Sequence, residues 1–86
     1  MIKFGTVKQG TEGQDVVVLQ SMFRALQYLG KDGQPIDIDG HCGQNTVYAI
    51  NTFQRVQIAY GFPECGTNGK PDGKFGSKCW ERLLGV

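Results

Sequence analysis

The sequence predicts an all-α fold, a small three-helix bundle, from three observations. The stretch Asp39-Gly40-His41-Cys42-Gly43-Gln44-Asn45-Thr46 is nearly repeated 33 residues later, at Asp72-Gly73-Lys74-Phe75-Gly76-Ser77-Lys78-Cys79. Apolar residues at helical spacing follow each copy, and a third such run precedes the first. Glycine and proline punctuate what remains. Both copies read Asp-Gly-x-x-Gly. Asp-Gly marks a turn that tolerates positive φ, and the second glycine (Gly43 or Gly76) frees the backbone just before a helix begins. Two Asp-Gly-x-x-Gly turns thus precede helices two and three.

Taken in order, residues 1–9 form an extended N-terminal arm, with Ile2, Phe4 and Val7 alternating against the core. Thr11 and Gln14 fit a capping box, with Asp15 as an alternative cap or a favourable anion in the first turn. Val16, Leu19, Phe23 and Leu26 then recur at +3, +4 and +3, widened by Met22 and Leu29. Gly30 is a natural stop, so the first helix is expected over about Asp15 to Leu29. Residues 31–38 read as a loop in which Ile36 and Ile38 offer one short extended edge to the core. Ala49, Ile50, Phe53, Val56 and Tyr60 mark the second helix, about Gln44 to Tyr60, ended by Gly61 and Pro63. After a long loop, Ser77 is a good N-cap for a short third helix. It carries Cys79, Trp80, Leu83 and Leu84 and ends at Gly85.

Bulk properties exclude several classes of function. At 86 residues the chain is one domain, with 9 Lys+Arg against 8 Asp+Glu and no like-charge run longer than two residues. Without a basic face or stripe, nucleic acid is not expected as a partner. No apolar run is long enough to span a bilayer, so no membrane partner is expected, and the N-terminus lacks signal-peptide character. The three cysteines, Cys42, Cys65 and Cys79, leave at least one thiol free, and there is a single histidine, His41. Four candidate ligands without short spacing argue against a structural zinc, so neither metal nor cofactor is expected. One disulfide, Cys42 with Cys65 or with Cys79, stays open beside the plainer reading of small buried thiols.

The ordered residues resemble the peptidoglycan-binding domain family. The likeness is carried by Gly10-x-x-Gly13-x-Asp15-Val16-x-x-Leu19-Gln20, by Leu29-Gly30, by Asp39-Gly40-x-x-Gly43-x-x-Thr46-x-x-Ala49-Ile50-x-x-Phe53-Gln54, and by Asp72-Gly73-x-Phe75-Gly76 closing on Trp80 and Leu83. It covers about residues 10–84 of a single domain, 1–86. It implies a helical cell-wall module of the kind attached to amidases, muramidases, peptidases and phage endolysins. Such a module has no catalysis of its own and recruits a catalytic hydrolase domain to peptidoglycan, outside the cell or at its wall, with export or lysis supplied elsewhere. A monomer is expected. Three features depart from the family pattern: the loops before Asp39 and over 61–71 look long, Cys42 replaces an aromatic, and Cys79 replaces a threonine.

The candidate residues sort by chemistry. Asp39 and Asp72 open equivalent turns, where a carboxylate accepts backbone N–H groups, which is simpler than an acid/base pair facing one substrate. Gln20 and Gln54 lie one residue beyond the core positions Leu19 and Phe53. A buried amide must find partners, and the turns offer free backbone groups, so these glutamines are read as braces. Structural roles therefore go to Asp39, Gly40, Gly43, Asp72, Gly73, Gly76, Gln20 and Gln54. As a nucleophile Cys79 would need an adjacent base, and His41 lies in the other repeat; no catalytic residue is assigned. Binding is assigned to His41, Gln44, Asn45 and Tyr48, where a helix start exposes unpaired N–H groups suited to a stem-peptide carboxylate and Tyr48 offers a ring. The alternative function is a docking module for another protein or domain that kept the fold and binds neither glycan nor stem peptide.

Overall fold

The computed structural model describes residues 4–85, so Ile2 of the expected arm lies outside the described residues. Three α-helices, α1 (Gln14–Ala25), α2 (Gln44–Ala59) and α3 (Ser77–Leu84), are joined by long loops, with one 3₁₀ turn at Pro63–Cys65. Among the described residues there is no strand, only isolated bridges such as Val7 with Phe75 and Glu12 with His41. The fold is an all-α three-helix bundle with a Cα radius of gyration of 11.6 Å.

The helix starts differ in detail from the capping expected. Gly13, not Thr11, is the N-cap of α1, and Gly76, not Ser77, is the N-cap of α3. Thr11 instead accepts the Lys8 N–H at 3.1 Å, and Asp15 reaches out of α1 to accept the Gly5 N–H at 2.8 Å. The side chains are used to hold the arm rather than to close the helix.

α1 also stops a turn early. Gln27 takes a left-handed conformation (φ 65°), and the chain closes as a Schellman motif: Tyr28 N–H bonds Phe23 C=O and Gln27 N–H bonds Arg24 C=O. The Tyr28 ring then packs edge-on against Phe23, centroids 5.1 Å apart, supplying the apolar contact that accompanies this motif. α2 ends in the same way at Gly61 (φ 97°), where Phe62 N–H bonds Gln57 C=O and Gly61 N–H bonds Ile58 C=O. Because α1 ends at Ala25, Leu26 and Leu29 leave the expected stripe and are exposed. Val56 and Tyr60 also turn outward, Tyr60 to 75% exposure, and Leu84 is exposed at the end of α3.

An aromatic chain ties the elements together. Phe75, from the second turn, lies 5.8 Å from Phe23 of α1, 5.3 Å from Phe53 of α2 and 5.0 Å from Trp80 of α3, measured between centroids. Trp80 stacks on Phe4 at 4.2 Å and donates its indole N–H to Gly5 C=O at 3.0 Å, so the arm is fixed to α3. Val7 and Ile36 complete the core, while Ile38 is exposed, so only one of the two isoleucines in the 31–38 loop docks. Each fully buried side chain of this size contributes about 1.5–3 kcal/mol.

Candidate functional site

Two buried glutamines organise the two turns. The Gln20 carboxamide oxygen accepts the N–H groups of Asp39 (3.0 Å) and Gly40 (2.9 Å). Its amide NH₂ donates to the Asp39 carboxylate, to His41 C=O and to the Thr46 hydroxyl. Gln54 does the same for the second turn: it accepts from Asp72 and Gly73 N–H and donates to the Asp72 carboxylate and Lys74 C=O. A further bond goes to Cys65 C=O, and Cys79 Sγ sits 3.5 Å away where Thr46 stands in the first half. Among the described residues no buried side-chain nitrogen or oxygen lacks a partner.

The aspartates complete each turn. Asp39 accepts the His41 N–H at 3.0 Å, and Asp72 accepts the Lys74 N–H at 2.9 Å. The His41 N–H, with the Gln20 amide, holds the Asp39 carboxyl below the ordinary carboxylate range. Burial pushes the Asp72 carboxyl up, but hydrogen bonds from Thr67, Lys74 and Gln54 outweigh it and leave its pKa lowered. Both carboxylates are spent on their own turns. Gly40 (φ 75°) and Gly73 (φ 73°) are required there, since a Cβ would also come within 3.2 Å of Val17 and 3.3 Å of Val47.

The first turn delivers the chain to the start of α2. Gly43 caps it with no side-chain bond, and the first turn of α2 holds no acidic residue. His41 is exposed on the loop and Gln44 on the helix; Tyr48, 46% exposed, stands one turn beyond Gln44 on the same face. The ring of His41 approaches Glu12 at 3.8 Å, an exposed contact of little energetic consequence. Asn45 is placed differently. Its side chain packs on Gly30, accepts the Lys31 N–H at 3.0 Å and donates to Asp32, so it pins the preceding loop. The rim therefore groups His41, Gln44 and Tyr48, while the Asn45 amide is committed to the fold.

A second surface lies at the start of α3. A groove of about 350 Å³ opens there, with Thr6, Glu64, Asp72, Lys74, Ser77 and Lys78 among the residues lining it. Lys74, Ser77 and Lys78 are the repeat equivalents of His41, Gln44 and Asn45, and sequence reasoning did not single them out as binding residues. The 33-residue offset is the signal that could have found them. Among the described residues no cluster of three metal-ligating side chains occurs, and no helix is long and apolar enough to cross a membrane.

Comparison with known proteins gives a family. The family model of a peptidoglycan binding domain matches residues 12–57, which takes in α1, the first turn and most of α2. No curated protein and no solved structure matches the chain.

Proposed function

Because the chain belongs to the peptidoglycan-binding domain family, we propose that it is a non-catalytic module that holds a lytic or remodelling enzyme on murein. The family match across α1, the first turn and α2 carries this reading. The ligand contact is assigned to His41, Gln44 and Tyr48, with Asn45 shaping the rim from beneath. The uncapped start of α2 presents backbone N–H donors and a positive dipole end, which suit a stem-peptide carboxylate, and the Tyr48 ring suits a sugar or peptide face. The rim residues His41, Gln44 and Tyr48 are exposed rather than enclosed, so affinity on the polymer comes from many weak sites rather than one tight one.

Sedimentation with insoluble cell walls tests the function directly. The pure chain is expected to pellet with the walls and to release no soluble fragments. Enrichment no greater than that of an unrelated small protein would sink the proposal, and wall hydrolysis would overturn its non-catalytic part. Amide spectra recorded with defined muropeptides locate the contact: shifts at His41 to Tyr48 support the first rim, and shifts confined to Lys74 to Lys78 move the site to the α3 groove. A chain silent to muropeptides that responds to an adjoining domain would instead be a docking module.

A further inference from the structure

Two of the three thiols meet inside the α3 groove. Cys79 Sγ donates to Cys65 C=O at 2.9 Å, and Cys65 Sγ lies 3.9 Å from Lys78 C=O. Cys79 Sγ thus rests on the backbone of Cys65, and each thiol is a neighbour whose presence bears on the other's acidity. Both residues are 2% exposed, yet both line the open groove, which gives a small reagent a route to them. The internal repeat sharpens the observation. At the position of Cys79 the first half has Thr46, whose hydroxyl is enough to accept the glutamine NH₂. A thiol there adds nothing to that bond, but it stands against Cys65. Cys42 is elsewhere, in the first turn, held through its backbone by Gly10 and Thr11.

We propose that Cys65 and Cys79 form a redox pair, a modification site at which a low-molecular-weight disulfide of the glutathione class converts the two thiols into one cystine. One thiol loses its proton and attacks the glutathione disulfide, releasing one reduced glutathione and leaving a mixed disulfide. The second, also deprotonated, attacks the protein sulfur of that adduct and expels the second glutathione. Two thiols of the protein are oxidised, one small disulfide is reduced, and two protons are carried away on the two released thiols. The contact of Cys79 Sγ with the Cys65 carbonyl sets the two residues side by side, and a bond of about 2.05 Å forms as the Cys65 side chain turns toward that sulfur. Burial raises both thiol pKa values, Cys65 to about 12, so the reaction is slow at neutral pH and accelerates toward alkaline pH. The bridge ties the Pro63–Cys65 turn to α3 across the groove and constrains the unfolded chain between them.

The test is oxidation of the full chain with glutathione disulfide at about pH 9, followed by intact mass and peptide mapping. The expected product of wild type and of Cys42→Ser is lighter by two hydrogens, links Cys65 to Cys79, and melts at higher temperature until dithiothreitol restores it. Cys79→Thr, which installs the repeat's own residue, folds but forms no internal link. Retention of both thiols, a persistent glutathione adduct on either, or a bridge through Cys42 would overturn the pairing.

Discussion

Gln54 touches the second turn at the same set of backbone atoms that Gln20 touches in the first: two N–H groups of an Asp-Gly pair and the carbonyl two residues after the aspartate. The chain thus builds one device twice and hangs a helix from each. Replacing Gln54 by leucine keeps the volume but leaves the Asp72 and Gly73 N–H groups without acceptors. Each buried orphan costs about 1–3 kcal/mol, so Gln54→Leu should lose about 2–5 kcal/mol in urea unfolding, and Gln20→Leu a similar amount. A loss under about 0.5 kcal/mol, the level of an ordinary surface substitution, would show that the braces are dispensable.

The turn glycines differ from other left-handed glycines in what surrounds them. Gly40 and Gly73 combine positive φ with a close neighbour, whereas Gly33 (φ 76°) faces open space. Alanine at Gly33 should cost about 1 kcal/mol of strain, and alanine at Gly40 or Gly73 should cost more because Val17 or Val47 must also move. Equal losses at all three positions would mean that only φ matters.

Gln27 offers the opposite experiment. It occupies, with φ 65°, the place that Gly61 holds at the end of α2. Gln27→Gly relieves the left-handed strain and should stabilise the domain by about 0.5–1 kcal/mol, net of the greater freedom of glycine in the unfolded chain. An unchanged or lower thermal midpoint would contradict this.

The pH profile follows from two opposite shifts. Asp39 and Asp72 titrate below their ordinary range when folded, so their contribution is present above that range and is lost as pH falls through the lowered values. Thermal midpoints should therefore drop below about pH 4. Burial raises the Cys42 thiol to about 11 and the Cys65 thiol to about 12. That contribution is intact below the ordinary thiol pKa of about 8.5 and is lost as pH climbs through the folded values. A plateau at neutral pH with both limbs falling is expected, and Asp39→Asn, which keeps an acceptor but cannot titrate, should have a shallower acid limb.

Binding and stability should separate at the α2 rim. Tyr48 and Gln44 are exposed and, among the described residues, make no side-chain hydrogen bond, so alanine at both should lower retention on insoluble walls severalfold and leave the melting temperature nearly unchanged. Asn45→Ala should do the reverse and loosen the 30–34 loop. Full retention by the Tyr48 and Gln44 double variant would remove the rim from the ligand contact.

Much of this architecture is readable in the sequence because it rests on local rules. The Gly-rich turns, the apolar spacing after them and the stop at Gly61 use only neighbouring residues. The end of α1 is misread because the chain is reversed by a glutamine, which has no propensity for that role, while Gly30 three residues on looks like the natural stop. Gly30 is instead needed for close approach, since a Cβ there would lie 2.8 Å from Asn45. The same contact explains why Asn45 looks like a free polar group in the sequence and is engaged in the fold. The α3 groove and the meeting of Cys65 with Cys79 depend on how the 61–66 loop packs against a helix more than ten residues away, which no local pattern encodes.

The Trp80 environment gives the domain an optical gauge. It is the sole tryptophan, 3% exposed, with its indole N–H bonded to the arm, Phe4 stacked on its ring and Phe75 packed against it at right angles. Its fluorescence should be blue-shifted in the folded chain and move to the red if the arm peels from α3, even while the helices persist. Emission wavelength and helical circular dichroism, followed together, would therefore distinguish arm release from global melting without any label.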